Sequence, residues 1–300
     1  MSAYRIACAQ YPIEAMKSLD DWREKIGRWV EEAARAGARL LLFPEYASME
    51  IAASDPATMG DLDASLRTVM ALGEAMDAHH AALAAAHDVH ILGASRPYGL
   101  ADGRIVNRAR LFAPNGCTGH QDKIVMTRFE REQWSISGGD AVRVFQTALG
   151  PIGISICYDV EFPLIARAQA EAGARIILAP SCTDSMQGYW RVRIGAQARA
   201  LENQLYVAQA PTVGMAPWSP ALDENYGLAG LYAPSVLECP DDGVLALGAE
   251  GAAGWVYGAV DPARVPIWRE EGAVRPYQHW PEQTLGMIPP LPAVDLVDLR

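Results

Sequence analysis

The stretch Pro151-Ile152-Gly153-Ile154-Ser155-Ile156-Cys157-Tyr158-Asp159-Val160-Glu161-Phe162-Pro163 decides how the chain is read. Ile152 to Ile156 has the β-branched, apolar composition of a short buried strand, and Gly153 allows a close backbone approach. The strand delivers a thiol to a polar turn, and Leu164-Ile165-Ala166-Arg167-Ala168-Gln169-Ala170-Glu171-Ala172 then reads as an alanine-rich helix. A cysteine on a strand-to-helix turn can use backbone N–H groups and the helix dipole to hold negative charge, which favours the reactive thiolate. The same residue also reads as a small core hydrophobe, because free cysteine is among the most buried residue types.

The pattern extends both ways from this point. Tyr4 to Gln10 alternates as a strand, and Leu19 to Ala36 is an amphipathic helix that Gly37 stops. Arg39 to Phe43 is a buried strand closed by Pro44-Glu45-Tyr46. Leu62 to Asp88 is a long helical region, expected to break once, and Val89 to Gly93 is the next strand. Ile105–Ala113 and Gly119–Val125 read as a hairpin around Asn115-Gly116. Val142–Thr147 pairs with the strand before Cys157. Beyond it come the strand Arg175–Ala179, the turn Pro180-Ser181-Cys182, the helix Tyr189–Asn203, a strand from Leu205, a loop-rich segment from Pro211 to Pro220, and a late strand Gly254–Val260. Strands alternate with helices, interrupted by hairpins. That is an α/β class with mixed sheets, and the number of strands suggests two sheets packed together with helices outside. Residues 1–300 read as one domain, with 262–300 a Pro- and Trp-rich tail packing on the body or on a partner subunit.

Composition narrows the function. Half the residues are hydrophobic and the mean hydropathy is +0.01, as in an ordinary globular chain. A net charge of −11 argues against nucleic acid or an anionic membrane as partner. No apolar run approaches the roughly 18–20 residues that span a bilayer. The N-terminus shows no signal-peptide pattern. Cys8, Cys117, Cys157, Cys182 and Cys239 are odd in number and widely spaced, which points to reduced thiols in the cytoplasm rather than disulfides or a zinc site. The histidines show no metal-ligand spacing and no glycine-rich phosphate loop carries its Lys-Ser/Thr partner, so neither metal nor cofactor is expected. Lys17, Lys25 and Lys123 are the only lysines, so a lysine in mid-chain invites a reason specific to that compact point charge.

Three strand ends carry reactive types: Glu45, Lys123 and Cys157. Singly, Glu45 could cap a loop and Lys123 could be a solvated edge charge. Together they supply a thiol hydrolase: a shielded carboxylate to take the thiol proton, and an ammonium with the Tyr158 backbone N–H to hold a tetrahedral oxyanion. Leu42-Phe43-Pro44-Glu45, Asp122-Lys123 and Cys157-Tyr158-Asp159-x-x-Phe162-Pro163 resemble, in order, the three signatures of the nitrilase (carbon–nitrogen hydrolase) superfamily. The resemblance extends over nearly the whole chain. It implies a four-layer αββα sandwich, usually a homodimer or higher assembly, with Glu45 as general base, Cys157 as nucleophile and Lys123 as stabiliser of the tetrahedral species. It also implies a second glutamate. Counting back from Gly139-Asp140 selects Glu132 over Glu130, which instead pairs with Arg128 or Arg131.

Tyr158-Asp159 resembles amide-hydrolysing members rather than nitrile-hydrolysing ones. Glu161 stands where branches acting on ω-amides or N-carbamoyl amino acids place arginine, which suggests a neutral or cationic substrate unless Glu161 pairs with an arginine such as Arg167. Tyr158, Glu161, Cys182 and Trp190 are the candidate substrate-binding residues. The function expected is cofactor-independent hydrolysis of a small-molecule amide through a thioester. Ureide or nitrile hydrolysis by the same residues, and a catalytically idle scaffold, are the rivals.

Overall fold

The computed structural model describes residues 2–285, 287 and 290–300. From the N-terminus, β1 (Tyr4–Pro12) leads into α1 (Leu19–Arg35) and β2 (Ala38–Leu42). Ser18 caps α1 by accepting the Asp21 N–H at 3.1 Å, and Trp22, Ile26, Val30 and Ala33 form its buried stripe. Gly37 releases the chain at φ +81°.

A run of 3-10 turns over Ala47–Ser54 follows β2, and then comes α2 (Leu62–His87). The expected break in α2 does not occur. Gly73, within it, lies against the Arg96 guanidinium, which fills the space a Cβ would take. The glycine makes room for a neighbour without interrupting the helix. Next are β3 (His90–Leu92), β4 (Arg96–Gly99), and the hairpin of β5 (Ile105–Phe112) with β6 (Thr118–Asp122), turned at Gly116. The short α3 (Arg128–Glu132) and β7 (Ile136–Ser137) precede β8 (Val142–Thr147) and β9 (Gly150–Ile154).

Beyond the nucleophile candidate lie α4 (Pro163–Glu171), β10 (Ile176–Ser181) and α5 (Met186–Asn203), whose first turn is capped by Ser185. Next, β11 (Tyr206–Met215) runs straight through Pro211, where a loop was expected. There it leaves β10 and takes up β1. The remaining strands are β12 (Glu224–Asn225), β13 (Gly230–Tyr232), β14 (Val244–Leu247) and β15 (Gly254–Val260). After Pro262 the chain forms α6 (Arg264–Glu271) and α7 (Pro276–His279), where the Tyr277 carbonyl accepts an Arg167 N–H at 2.9 Å. It ends in β16 (Val294–Asp298), which pairs in parallel with β8. Residues 286, 288 and 289 of this tail lie outside the described set.

The class is mixed α/β. Among the described residues the strands make one hydrogen-bonded path, β16-β8-β9-β10-β11-β1-β2-β3-β5-β4, with β15 paired antiparallel along β1 and β6, β7, β12, β13 and β14 paired beside it. Two sheets were expected; here they join where the long strands β1 and β11 meet at Tyr11–Thr212 and Pro12–Val213. Alternation along each strand separates two cores. Ile6, Cys8, Leu40 and Leu42 pack with Ile152, Ile154, Ile176 and Leu178, whereas Ala7, Ala9, Tyr11, Leu41 and Phe43 face α1 and α2. No helix among the described residues is long and apolar enough to cross a membrane.

The sheet directions decide where chemistry can collect. β9, β10, β11, β1 and β2 are successively parallel. β6 shares their direction, because it is antiparallel to β5, which is antiparallel to β3, which is parallel to β2. All their carboxyl ends therefore open at one side, the position favoured for sites in α/β folds.

Candidate active site

Three carboxyl ends meet there. Glu45 follows β2, Lys123 follows β6 directly, and Cys157 follows β9; they are 1%, 1% and 5% exposed. The Lys123 ammonium donates to Glu45 Oε1 at 2.8 Å and to Glu130 Oε2 at 2.7 Å. Asn107 Nδ2 donates to the same Glu45 Oε1 at 2.9 Å, and the Cys182 N–H donates to Glu45 Oε2 at 3.0 Å. The Cys157 thiol lies 3.8 Å from the Cys182 carbonyl oxygen, to which it donates, and it also meets the Glu45 carboxylate. Acid, ammonium and sulfur thus share one buried cluster, held together by the backbone of Cys182.

Burial sets the electrostatics. It pushes the Glu45 carboxyl up, with Glu130 adding to the rise and Lys123 opposing it. For Lys123, burial works against the charge, yet Glu45, Glu130 and Cys157 outweigh it and hold the ammonium protonated. Burial also opposes ionisation of Glu130, but Lys123 and the Thr127 donors hold that carboxyl below its ordinary value. The Cys157 thiol is driven well above its ordinary value by burial and then by Glu45, against which Lys123 is the weaker influence. The thiolate expected from a helix dipole is therefore not the resting form. A 3-10 turn over Cys157–Glu161 separates the sulfur from α4, which begins only at Pro163. The turn starts with Cys157 in the left-handed region, at φ +49°. A neutral thiol beside a carboxylate of raised pKa is the pairing general-base activation requires.

The second glutamate at the lysine is Glu130, not the expected Glu132. Thr127 caps α3 in a reciprocal box: its side chain accepts the Glu130 N–H, and its own N–H donates to Glu130 Oε2 at 2.8 Å. That turns Glu130 inward, where Tyr46 Oη also donates to it at 2.9 Å. Glu132, two residues further round the helix, points outward and pairs with Arg128 at 2.8 Å. The spacing Thr127-x-x-Glu130 was the local signal for this.

The cluster floors a cleft of about 250 Å³, small-molecule size, whose walls include Tyr46, Phe129, Trp134 and Ala221. Tyr158, Glu161 and Cys182 line it as expected. Trp190 does not. Adjacent residues on a helix point about 100° apart, so Arg191 faces the cleft while Trp190 is 44% exposed, tilted against the Tyr189 ring and covered by the Arg193 guanidinium. Arg191 also answers the question of Glu161's partner: the two lie 3.4 Å apart, whereas Arg167 is engaged with Glu171. Sequence reasoning missed Tyr46 and Asn107, which carry no spacing signal.

A family model described as carbon–nitrogen hydrolase matches residues 5–270. The probable hydrolase YhcX of Bacillus subtilis is 35% identical over 271 residues, which are 90% of this chain and 52% of that protein. The chain thus spans about half the length of that relative. The omega-amidase NIT2-B of Xenopus laevis is 26% identical over 239 residues, 75% of this chain and 77% of that one. Among solved structures, Saccharomyces cerevisiae Nit3, a member of branch 10 of the nitrilase superfamily, superposes with a TM-score of 0.71 at 20% identity, covering 90% of this chain and 94% of that chain. The last likeness concerns the fold alone.

Proposed function

Because the chain belongs to the carbon–nitrogen hydrolase family, we propose that it hydrolyses the C–N bond of a small amide, with Cys157 as nucleophile. The observation that carries this reading is the buried Lys123, shared by Glu45 and Glu130, beside a neutral thiol at the floor of a cleft. As the Cys157 sulfur attacks the amide carbon, its proton passes to Glu45. Negative charge then develops on the substrate oxygen, where Lys123 and the Tyr158 N–H stabilise it. Collapse breaks the C–N bond, and the leaving nitrogen takes the proton back from Glu45. The thioester that remains is attacked by a water whose proton goes to Glu45, and the acid departs as the thiol re-forms. Glu130 stays ionised throughout and keeps Lys123 charged when Glu45 is protonated. The scheme uses only Cys157, Glu45, Lys123, Glu130 and the Tyr158 N–H, and draws on no cofactor.

Several finer readings accompany this one. The two halves of the strand path pack face to face as a four-layer αββα sandwich, a reading supported by the core that Leu40 and Leu42 share with Ile154 and Leu178. Residues 1–300 make one hydrolase domain with 262–300 as its tail. Met186, Trp190, Ile194 and Leu201 give α5 an exposed apolar face, which favours a homo-oligomer. Five free cysteines favour a reducing compartment such as the cytoplasm. The pairing of Glu161 with Arg191 removes the argument from Glu161 to a neutral or cationic substrate.

Ammonia release from a panel of small amides, ureides and nitriles, with Cys157→Ala as control, tests the function. Turnover of amides that the control lacks, with an acyl adduct on Cys157 by mass spectrometry, is the expected result. A wild-type protein that hydrolyses nothing in the panel fits a scaffold and refutes the reading.

A further inference from the structure

The cluster just described closes as a ring. Cys157 reaches the Cys182 carbonyl, the Cys182 N–H reaches Glu45, and Glu45 reaches Lys123. One link remains between Lys123 and the turn that bears the sulfur, and Asp159 supplies it. Its carboxylate accepts the Val125 N–H at 2.8 Å and the Ile124 N–H at 3.1 and 3.2 Å, the two peptide groups immediately after the lysine. Asp159 is itself fixed. It is 1% exposed, its N–H donates to the Ile156 carbonyl at 3.0 Å, and its own carbonyl accepts the Phe162 N–H at 3.1 Å.

The rest of the Lys123 backbone is tied only to the sheet and loop around β5 and β6. Its N–H donates to the Asn107 carbonyl at 2.9 Å, and its carbonyl accepts from Gly139 at 2.7 Å. Neither tie refers to the position of the sulfur. Lys123 and Cys157 come from opposite flanks of the strand path, β6 and β9, so rigid-body drift between those flanks would move ammonium and sulfur apart. The Asp159 carboxylate spans that division.

We propose that Asp159 is a positioning residue: it holds the Lys123 backbone at a fixed distance from the Cys157 turn, so that the ammonium meets the oxyanion formed at the sulfur. This rests on the amidase reading above. Asp159 does not line the cleft, so its influence is exerted through Lys123 and falls on the transition state rather than on substrate binding.

The test is a kinetic comparison of wild type, Asp159→Asn and Asp159→Glu on whichever amide wild type turns over, with circular dichroism and thermal unfolding in parallel. Asn offers a single acceptor oxygen and turns an NH2 toward a backbone donor. The expected result is a kcat lowered roughly 10–100-fold, the scale of a small misplacement at a reacting centre, with KM within about threefold and a native spectrum. Asp159→Glu restores the carboxylate and should recover most of the lost kcat. An Asp159→Asn protein as active as wild type overturns the proposal. So does a loss expressed in KM alone, failure of Asp159→Glu to recover activity, or a variant that unfolds at the assay temperature, which would make the residue structural only. An inactive wild type, by contrast, condemns the amidase reading itself, so the two failures are distinguishable.

Discussion

Replacing Lys123 by methionine removes an ammonium that two buried carboxylates share, 2.8 Å from Glu45 and 2.7 Å from Glu130. Methionine keeps most of the apolar stem, so the loss is chiefly electrostatic. Removing one partner of a buried ion pair costs about 3–5 kcal/mol, because the charge left behind is stranded without water. Here two like charges are stranded, and proton uptake is their relief. Without the ammonium, burial raises both carboxyls above the ordinary glutamate value of about 4.3. The folded variant then binds protons that the unfolded chain releases, so its stability falls as pH rises through and above that value. The deficit relative to wild type should therefore be small near pH 4.5 and full at pH 8. A deficit of about 3–5 kcal/mol lowers Tm by roughly 6–20 °C, at about 2–4 °C per kcal/mol for a chain of this order of size. Thermal unfolding of both proteins across that pH range measures it. A deficit below about 1 kcal/mol at pH 8, or one that does not change with pH, would refute the view of Lys123 as the shared counter-charge of Glu45 and Glu130.

Two further outcomes follow from the same geometry. Glu130→Gln removes a charge-assisted bond to Lys123, worth about 1.5–3 kcal/mol, so kcat/KM should fall roughly 10–100-fold. Glu132→Gln breaks only a surface pair and should stay within about twofold; steady-state kinetics giving the reverse order would return the second-glutamate role to Glu132. Glu45→Gln removes the carboxylate that raises the thiol pKa while leaving Lys123, which lowers it. The pH dependence of Cys157 alkylation by iodoacetamide should then move to lower pH than in wild type, and a shift to higher pH contradicts the stated balance.

Much of the site could be read from the chain because its parts are short apolar strands that end in a reactive residue. Leu40 to Phe43 and Ile152 to Ile156 announce buried strands by composition, and Glu45 and Cys157 are what those strands present. The choice between Glu130 and Glu132 was misread because counting back from Gly139-Asp140 assumes a fixed spacing across a loop. Helix geometry sets the answer, and the cap at Thr127 encodes it. Trp190 was misplaced for a related reason: a helical face had to be chosen before the neighbouring Val160, against which Gly195 packs, was known. The paired segments β12, β13 and β16 left no local trace. β16 joins β8 from the far end of the chain, and nothing near Val294 reports that partner. Tyr46 and Asn107 reach Glu130 and Glu45 across the fold, so their roles exist only once the strands are aligned.

The sulfur-bearing residue sits at φ +49°, where a side chain is crowded against its own backbone. Such a conformation costs about 1–2 kcal/mol for any residue with a Cβ, and glycine escapes it. A library of substitutions at position 157 scored for cellular abundance should therefore rank glycine high, while one scored for turnover places it among the dead. Selection for heat tolerance alone would thus act against the cysteine that the proposed reaction needs.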